Sequence, residues 1–137
     1  MNDAKLTISL VTPERRVAKA QVREVRAPSV QGQLGILPSH QALLVDLESG
    51  VVELVTDEGT ERIAISGVFL EVDHDEVVIL AETAEKQCEI DRERALKSFH
   101  EAEVLQKTLS PEDAHYEETQ ARIKRAEARL LASAPPL

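Results

Sequence analysis

The residues with the most chemical promise lie at Ile90-Asp91-Arg92-Glu93-Arg94-Ala95 and, further along the chain, at Arg125 and Arg129. Asp91 can cap a helix, and Arg125 and Arg129, spaced i, i+4, would share one face of a second helix. Guanidinium forks match phosphate oxygens. If the two helices fold back on each other, Arg94, Arg125 and Arg129 could meet an anion. The segment is also crowded with glutamates, and surface arginines paired with them are the commoner outcome of such a pattern.

Other chemistry is thinly represented. His40, His74, His100 and His115 include no i, i+4 pair, and Cys88 has no cysteine companion, so no metal-ligand set is expected. A lone cysteine cannot close an internal disulfide, which points to a reducing compartment. Ser66-Gly67 lacks the Gly-x-Ser-x-Gly frame of a nucleophile elbow. Gly32-x-x-Gly35 lacks the strand–loop–helix setting and the lysine of a phosphate loop, so both glycines read as turn residues. Asp73/Asp75 and Glu117/Glu118 read as solvated turns and helix faces. No acid/base or nucleophile cluster survives, and the chain is not expected to be an enzyme.

The elements that would position the Asp91–Arg129 constellation fall into two unlike parts. Up to residue 87 the chain consists of short Val- and Ile-rich runs punctuated by Gly, Pro and Asp. Leu6, Ile8 and Leu10 alternate with Lys5, Thr7 and Ser9, as in a half-buried strand. Thr12-Pro13-Glu14-Arg15 reads as a turn. Val17 to Val25 is predicted as strand with a bulge. Gly32 to Gly35 is a short extended piece ended by Pro38. Leu43–Leu47 and Val51–Val55 are strand runs split by Glu48-Ser49-Gly50. Asp57-Glu58-Gly59 turns the chain back into Arg62–Ser66. Val68–Val72 and Val77–Leu80 flank Asp73-His74-Asp75. Strands this short and this frequent predict an antiparallel sandwich or flattened barrel over 1–87.

Residues 88–137 are predicted to form an antiparallel α-helical hairpin. Asp91 caps a first helix running to about Thr108, with Ala95, Phe99, Ala102 and Leu105 on one face. Ser110-Pro111-Glu112-Asp113 reads as the start of the second helix. In that helix Tyr116, Ile123 and Leu130 recur every seven residues, with Thr119 and Ala126 between them, a narrow stripe suited to packing on another helix. So Ala-rich a seam buries little area per residue, so the hairpin should be only loosely held. Ala134-Pro135-Pro136-Leu137 reads as a frayed end.

Charge and composition limit the partners. The net charge is −9 and 42% of residues are hydrophobic, with no tryptophan. Phosphate backbones and anionic lipids would repel such a chain, so neither nucleic acid nor direct membrane binding is expected. The last eighteen positions reverse the sign, with Arg122, Lys124, Arg125 and Arg129 against Glu127 alone. That basic tip suits an acidic protein surface or an anionic ligand. No secretion signal and no apolar run near the ~20 residues of a membrane span is visible.

In order along the chain, Val11-Thr12-Pro13-Glu14, Gly32-Gln33-Leu34-Gly35-Ile36-Leu37-Pro38-Ser39-His40, Ser66-Gly67-Val68-Phe69-Leu70-Glu71-Val72 and Leu80-Ala81-Glu82-Thr83-Ala84-Glu85 resemble the epsilon subunit of bacterial F-type ATP synthase. The resemblance covers nearly the whole chain. It implies a flattened sandwich of about ten strands followed by a two-helix hairpin, in a non-catalytic subunit of the central rotor stalk. It implies partners: the gamma subunit, the c ring of a proton- or sodium-translocating ATP synthase, and the alpha/beta catalytic head when the hairpin extends. The extended hairpin would inhibit ATP hydrolysis. The complex would sit at the cytoplasmic face of the bacterial plasma membrane, with this chain peripheral and held there only through its partners.

The same resemblance assigns residues. Ile90-Asp91-Arg92-Glu93-Arg94-Ala95 matches a family motif that binds ATP on the folded hairpin. Glu85 then stands at an acidic contact, and Ile90, Asp91, Arg94, Ala95, Arg125 and Arg129 at the remaining ATP contacts. No cofactor is required, and ATP would act as a regulator. Arg122, Lys124, Arg125 and Arg129 are the candidates for the inhibitory contact. Leu37, Pro38, Ser39 and His40 are the candidates for an interface loop against the c ring or gamma. Two positions depart from the family pattern: Ser39 and Val68 each stand where glycine is usual, which removes backbone freedom.

Overall fold

A computed structural model describes residues 4–134. Eight strands come first: β1 (Leu6–Val11), β2 (Arg16–Val22), β3 (Glu24–Ser29), β4 (Gly32–Ile36), β5 (Leu43–Asp46), β6 (Ser49–Thr56), β7 (Gly59–Asp73) and β8 (Glu76–Lys86). A 3-10 turn, Gln87–Glu89, leads to α1 (Arg92–Thr108) and α2 (Tyr116–Ser133).

The strand count differs from the expected ten because β7 and β8 each serve two layers. The first half of β7 pairs with β6, while its second half pairs with β5 from Leu43↔Val72 to Asp46↔Phe69. The whole of β7 runs antiparallel to β8, and the early part of β8 pairs in parallel with β1. Two five-segment layers result: β4-β3-β6-β7-β8 and β2-β1-β8-β7-β5. The crossing point is a register shift at Ser66–Phe69. There a Cβ on Gly67 would lie 2.6 Å from Leu47 Cβ and 2.7 Å from the Glu48 carbonyl oxygen, so only glycine fits. Val68 is the extra residue of this bulge, and its side chain is exposed, which explains why valine is tolerated there.

Alternation sends one set of side chains inward from each layer. Val25, Ile36, Val52, Leu54, Ile63 and Ile65 meet Leu6, Ile8, Leu10, Leu70, Val72 and Ile79 in one continuous apolar core. The predicted bulged strand from Val17 to Val25 is instead two strands divided at Arg23, whose N–H leaves the β2 ladder and donates to Val55 O at 2.7 Å. The Asp57-Glu58 turn falls where it was predicted, between the paired Thr56 and Gly59.

The hairpin lies on the outer face of the first layer. Asp91 caps α1 as predicted, its Oδ1 accepting the Arg94 N–H at 3.1 Å. The start of α2 does not fall at Ser110. Ser110 Oγ accepts the Glu112 N–H at 3.3 Å and Asp113 Oδ1 accepts the His115 N–H at 2.9 Å. These local side-chain turns hold the backbone out of the helix until Tyr116. The packing stripes also differ from the predicted ones. On α1, Ala95 and Ala102 are buried, but Leu105 is 43% exposed and Phe99 only half-buried. On α2, Thr119 and Ala126 are buried while Tyr116, Ile123 and Leu130 are half-exposed. A second α2 face, Ala128 and Ala132, seats against Ala64 of β7, with Val51 and Ile90 alongside.

Candidate functional site

A cleft of about 380 Å³ opens where the sandwich meets the two helices. Strand β8 places Glu85 on the outer face of its layer, and the 3-10 turn adds Glu89. Asp91 opens α1, whose next turns carry Arg94, Ala95 and Ser98. Helix α2 returns Arg129 to the same wall. Five of the seven predicted ATP contacts thus line one cavity. Arg125 lies beside it, in an adjoining crevice with Glu85 and Arg129. Ile90 turns away and packs on the Ala64–Ala128–Ala132 cluster, so it supports the hairpin's seat and does not line the cleft.

The cleft's ionic partners are unevenly distributed. Arg129 Nε donates to Glu85 Oε1 at 2.6 Å. Glu89 Oε1 accepts the Lys86 N–H at 3.0 Å, and Arg15 Nη2 lies 3.2 Å from Glu89 Oε2. The Lys86 N–H, assisted by Arg15, holds the Glu89 carboxyl below the usual glutamate range, against a smaller opposing effect of burial. Asp91 is occupied as the helix cap. All three carboxylates are therefore engaged. The Arg94 guanidinium makes no hydrogen bond or ion pair with any described residue, and neither does that of Arg125. An anion entering the cleft would find the open Arg94 guanidinium near the start of α1, where the backbone dipole also favours negative charge.

The remaining candidates are scattered. Arg122, expected to be available for an inhibitory contact, is bound within the hairpin: its Nε donates to Ser98 Oγ at 3.2 Å and its Nη2 to Glu101 Oε2 at 3.1 Å. Lys124 is exposed and Arg125 half-buried. At the far end of the sandwich, Leu37 is 57% exposed and Ser39 adopts φ 69°, a backbone region that favours glycine. The Ser39 N–H donates to Asp75 Oδ1 at 2.7 Å, which ties the Leu37–His40 loop to the β7–β8 turn. Pro38 and His40 are half-buried, and His40 Nδ1 lies 2.6 Å from Gln41 O. Sequence reading missed Glu89, Ser98 and Arg15. Glu89 and Ser98 flank the motif closely enough to have been suspected; nothing local marks Arg15.

The two-layered sandwich that carries the hairpin is of the class described by the ATP synthase delta/epsilon chain family. A family model described as the ATP synthase delta/epsilon chain beta-sandwich domain matches residues 5–87. Curated relatives extend the match to the hairpin. The ATP synthase epsilon chain of Anaeromyxobacter sp. (strain K) is 42% identical over 125 residues, covering 91% of this chain and 95% of the relative. That of Moorella thermoacetica is 42% identical over 131 residues, covering 95% and 97%. A chain of the Euglena gracilis mitochondrial ATP synthase OSCP/F1/c-ring structure shares the fold, with TM-score 0.78 and 24% identity over 91% of this chain and 79% of that one. The chain belongs to the ATP synthase epsilon chain family. As such it is a non-catalytic subunit of ATP synthase. Among the described residues no helix is long and apolar enough to cross a membrane.

Proposed function

We propose that this chain is a central-stalk rotor subunit that couples the catalytic head to the c ring through gamma, and that its hairpin inhibits ATP hydrolysis when it extends. The division of labour is residues 1–87 as the anchor and 88–137 as the arm. The observation that carries this reading is the separation of the two apolar clusters. The sandwich core is closed without any hairpin residue, whereas the hairpin meets the sheet through small side chains such as Ala64, Ala128 and Ala132. An arm seated in this way can leave without opening the core. The folded arm also leaves Leu96 and Val104 of α1 exposed at 45% and 63%, apolar side chains available to another surface. For the anchor, the second layer leaves Leu44 and Val78 exposed, both in register with Glu71 of β7. Gamma and the c ring are assigned to that side, the catalytic head to Arg122, Lys124, Arg125 and Arg129 of the extended arm. Assembly would hold the chain peripherally at the cytoplasmic face of the bacterial plasma membrane.

Deleting residues 91–137 tests this reading: the sandwich stays folded and ATP hydrolysis by the assembled complex rises. Unchanged hydrolysis, across nucleotide and membrane-energisation conditions, would remove the inhibitory role. A second reading is favoured by one observation, the uncommitted Arg94 in a cleft whose carboxylates are all engaged. In it the folded hairpin is a regulatory ATP sensor, with Glu85, Asp91, Arg94, Ala95, Arg125 and Arg129 as contacts. Calorimetric titration of the isolated chain checks it. Saturable binding that is lost in Arg94→Ala supports it, and no heat up to millimolar ATP rejects it.

A further inference from the structure

Of the three carboxylates in the cleft, Glu89 is the one restrained by the β1–β2 end of the sandwich. Arg15, 74 positions earlier in the chain, donates through Nη2 to Glu89 Oε1 at 3.3 Å and Oε2 at 3.2 Å, and lies 3.4 Å from Ala84 O. The turn that presents Arg15 is closed by Thr12, whose N–H donates to Arg15 O at 2.9 Å and whose Oγ1 accepts the Arg15 N–H at 3.3 Å. Arg15 does not line the cleft; Glu89 and Arg94 both do.

We propose that Arg15 is a positioning residue for the anion cleft, a role that rests on reading the cleft as a nucleotide site. By holding and neutralising Glu89 on the sandwich side, it keeps that carboxylate from pairing with Arg94. It also spares an incoming polyphosphate an uncompensated negative neighbour. A unit charge at this range through solvent-exposed surroundings changes binding by about three- to tenfold. The role also makes the β1–β2 turn sensitive to the state of the cleft, although the turn belongs to the anchor and not to the arm.

The test compares ATP titrations of the full chain with Arg15→Gln, Glu89→Gln and the double variant, alongside carboxyl NMR of Glu89 without nucleotide. Arg15→Gln should weaken ATP binding about three- to tenfold and move the Glu89 titration up toward the ordinary glutamate range. Glu89→Gln should tighten binding, because the amide still accepts the Lys86 N–H and carries no charge. The double variant should recover at least the wild-type affinity, which a purely structural role for Arg15 would not allow. Wild-type affinity in Arg15→Gln, or a double variant as weak as Arg15→Gln, overturns the positioning role alone. A wild-type chain that takes up no ATP overturns the nucleotide reading, and this role with it.

Discussion

The sandwich and the hairpin are held by different kinds of contact. Within the sandwich, fully buried Leu, Ile and Val side chains from both layers interdigitate, each contributing about 1.5–3 kcal/mol of apolar burial. Between hairpin and sheet the fully engaged groups are alanine methyls, each nearer the ~0.8 kcal/mol of a single buried carbon. Polar contacts make up part of the difference. Across the seat Arg129 pairs with Glu85 and Gln87 Nε2 lies 3.4 Å from Ala134 O, while inside the hairpin Arg92 Nη1 of α1 reaches Leu130 O at 2.9 Å and Ser133 Oγ at 3.0 Å on α2. All lie where water competes, so each is worth little by itself. The contrast teaches that two regions in contact need not share a stability: a sheet core closed on itself can carry an arm with its own, smaller opening free energy.

Variants that strike one region and spare the other sharpen the contrast. Leu54→Ala should cost about 2–5 kcal/mol in chemical denaturation of the whole chain, because it opens a cavity in the shared core. Ala132→Leu overfills the seat of α2 and should cost about 1–3 kcal/mol. That cost should appear as faster proteolysis of residues 91–134, with the sandwich melting unchanged. Arg92→Ala removes two hydrogen bonds to the end of α2 and should loosen the hairpin by about 1 kcal/mol, measured the same way. An equal loss of sandwich stability from either hairpin variant would erase the distinction.

Acid should act in the same direction on both regions, with the smallest effect. Asp57 is depressed chiefly by its hydrogen bond from Arg23, with Lys5 assisting, and Glu89 chiefly by the Lys86 N–H. A carboxylate depressed in the folded state stabilises it above its ordinary value, and that contribution is lost as pH falls through the folded value. Asp57 acts within the sandwich, Glu89 at the hinge. Glu89→Gln should therefore flatten the acid-side loosening of the hairpin, followed by α-helix amide protection, while leaving that of the β2–β3 and β6–β7 ends in place.

Much of the fold was legible because its signals are local. Leu6-Ile8-Leu10 alternation, the Asp57-Glu58-Gly59 turn and the Asp91 cap each depend on neighbours within a few residues. The start of α2 was misplaced because the Ser110 and Asp113 side chains satisfy nearby backbone N–H groups, an outcome that competes closely with a helix cap. The continuity of β7 through Gly67 was invisible, since it depends on where Leu47 and Glu48 lie in space. The cleft divides likewise. Asp91, Arg94 and Arg129 follow from residue type and helical spacing, and Glu85 and Ala95 from a resemblance. Arg15 reaches Glu89 only after the two sheet layers are assembled. Arg122 looked free in the sequence because its partners, Ser98 and Glu101, sit on the other helix.

The central claim, an anchor with a separately stable arm, is tested most directly by native-state hydrogen exchange on the full chain. The amides of Arg92–Thr108 and Tyr116–Ser133 should exchange together through an opening that leaves the β-strand amides protected, and at a lower free energy. Exchange of the helices only in step with the buried strands, at the global unfolding free energy, would contradict it.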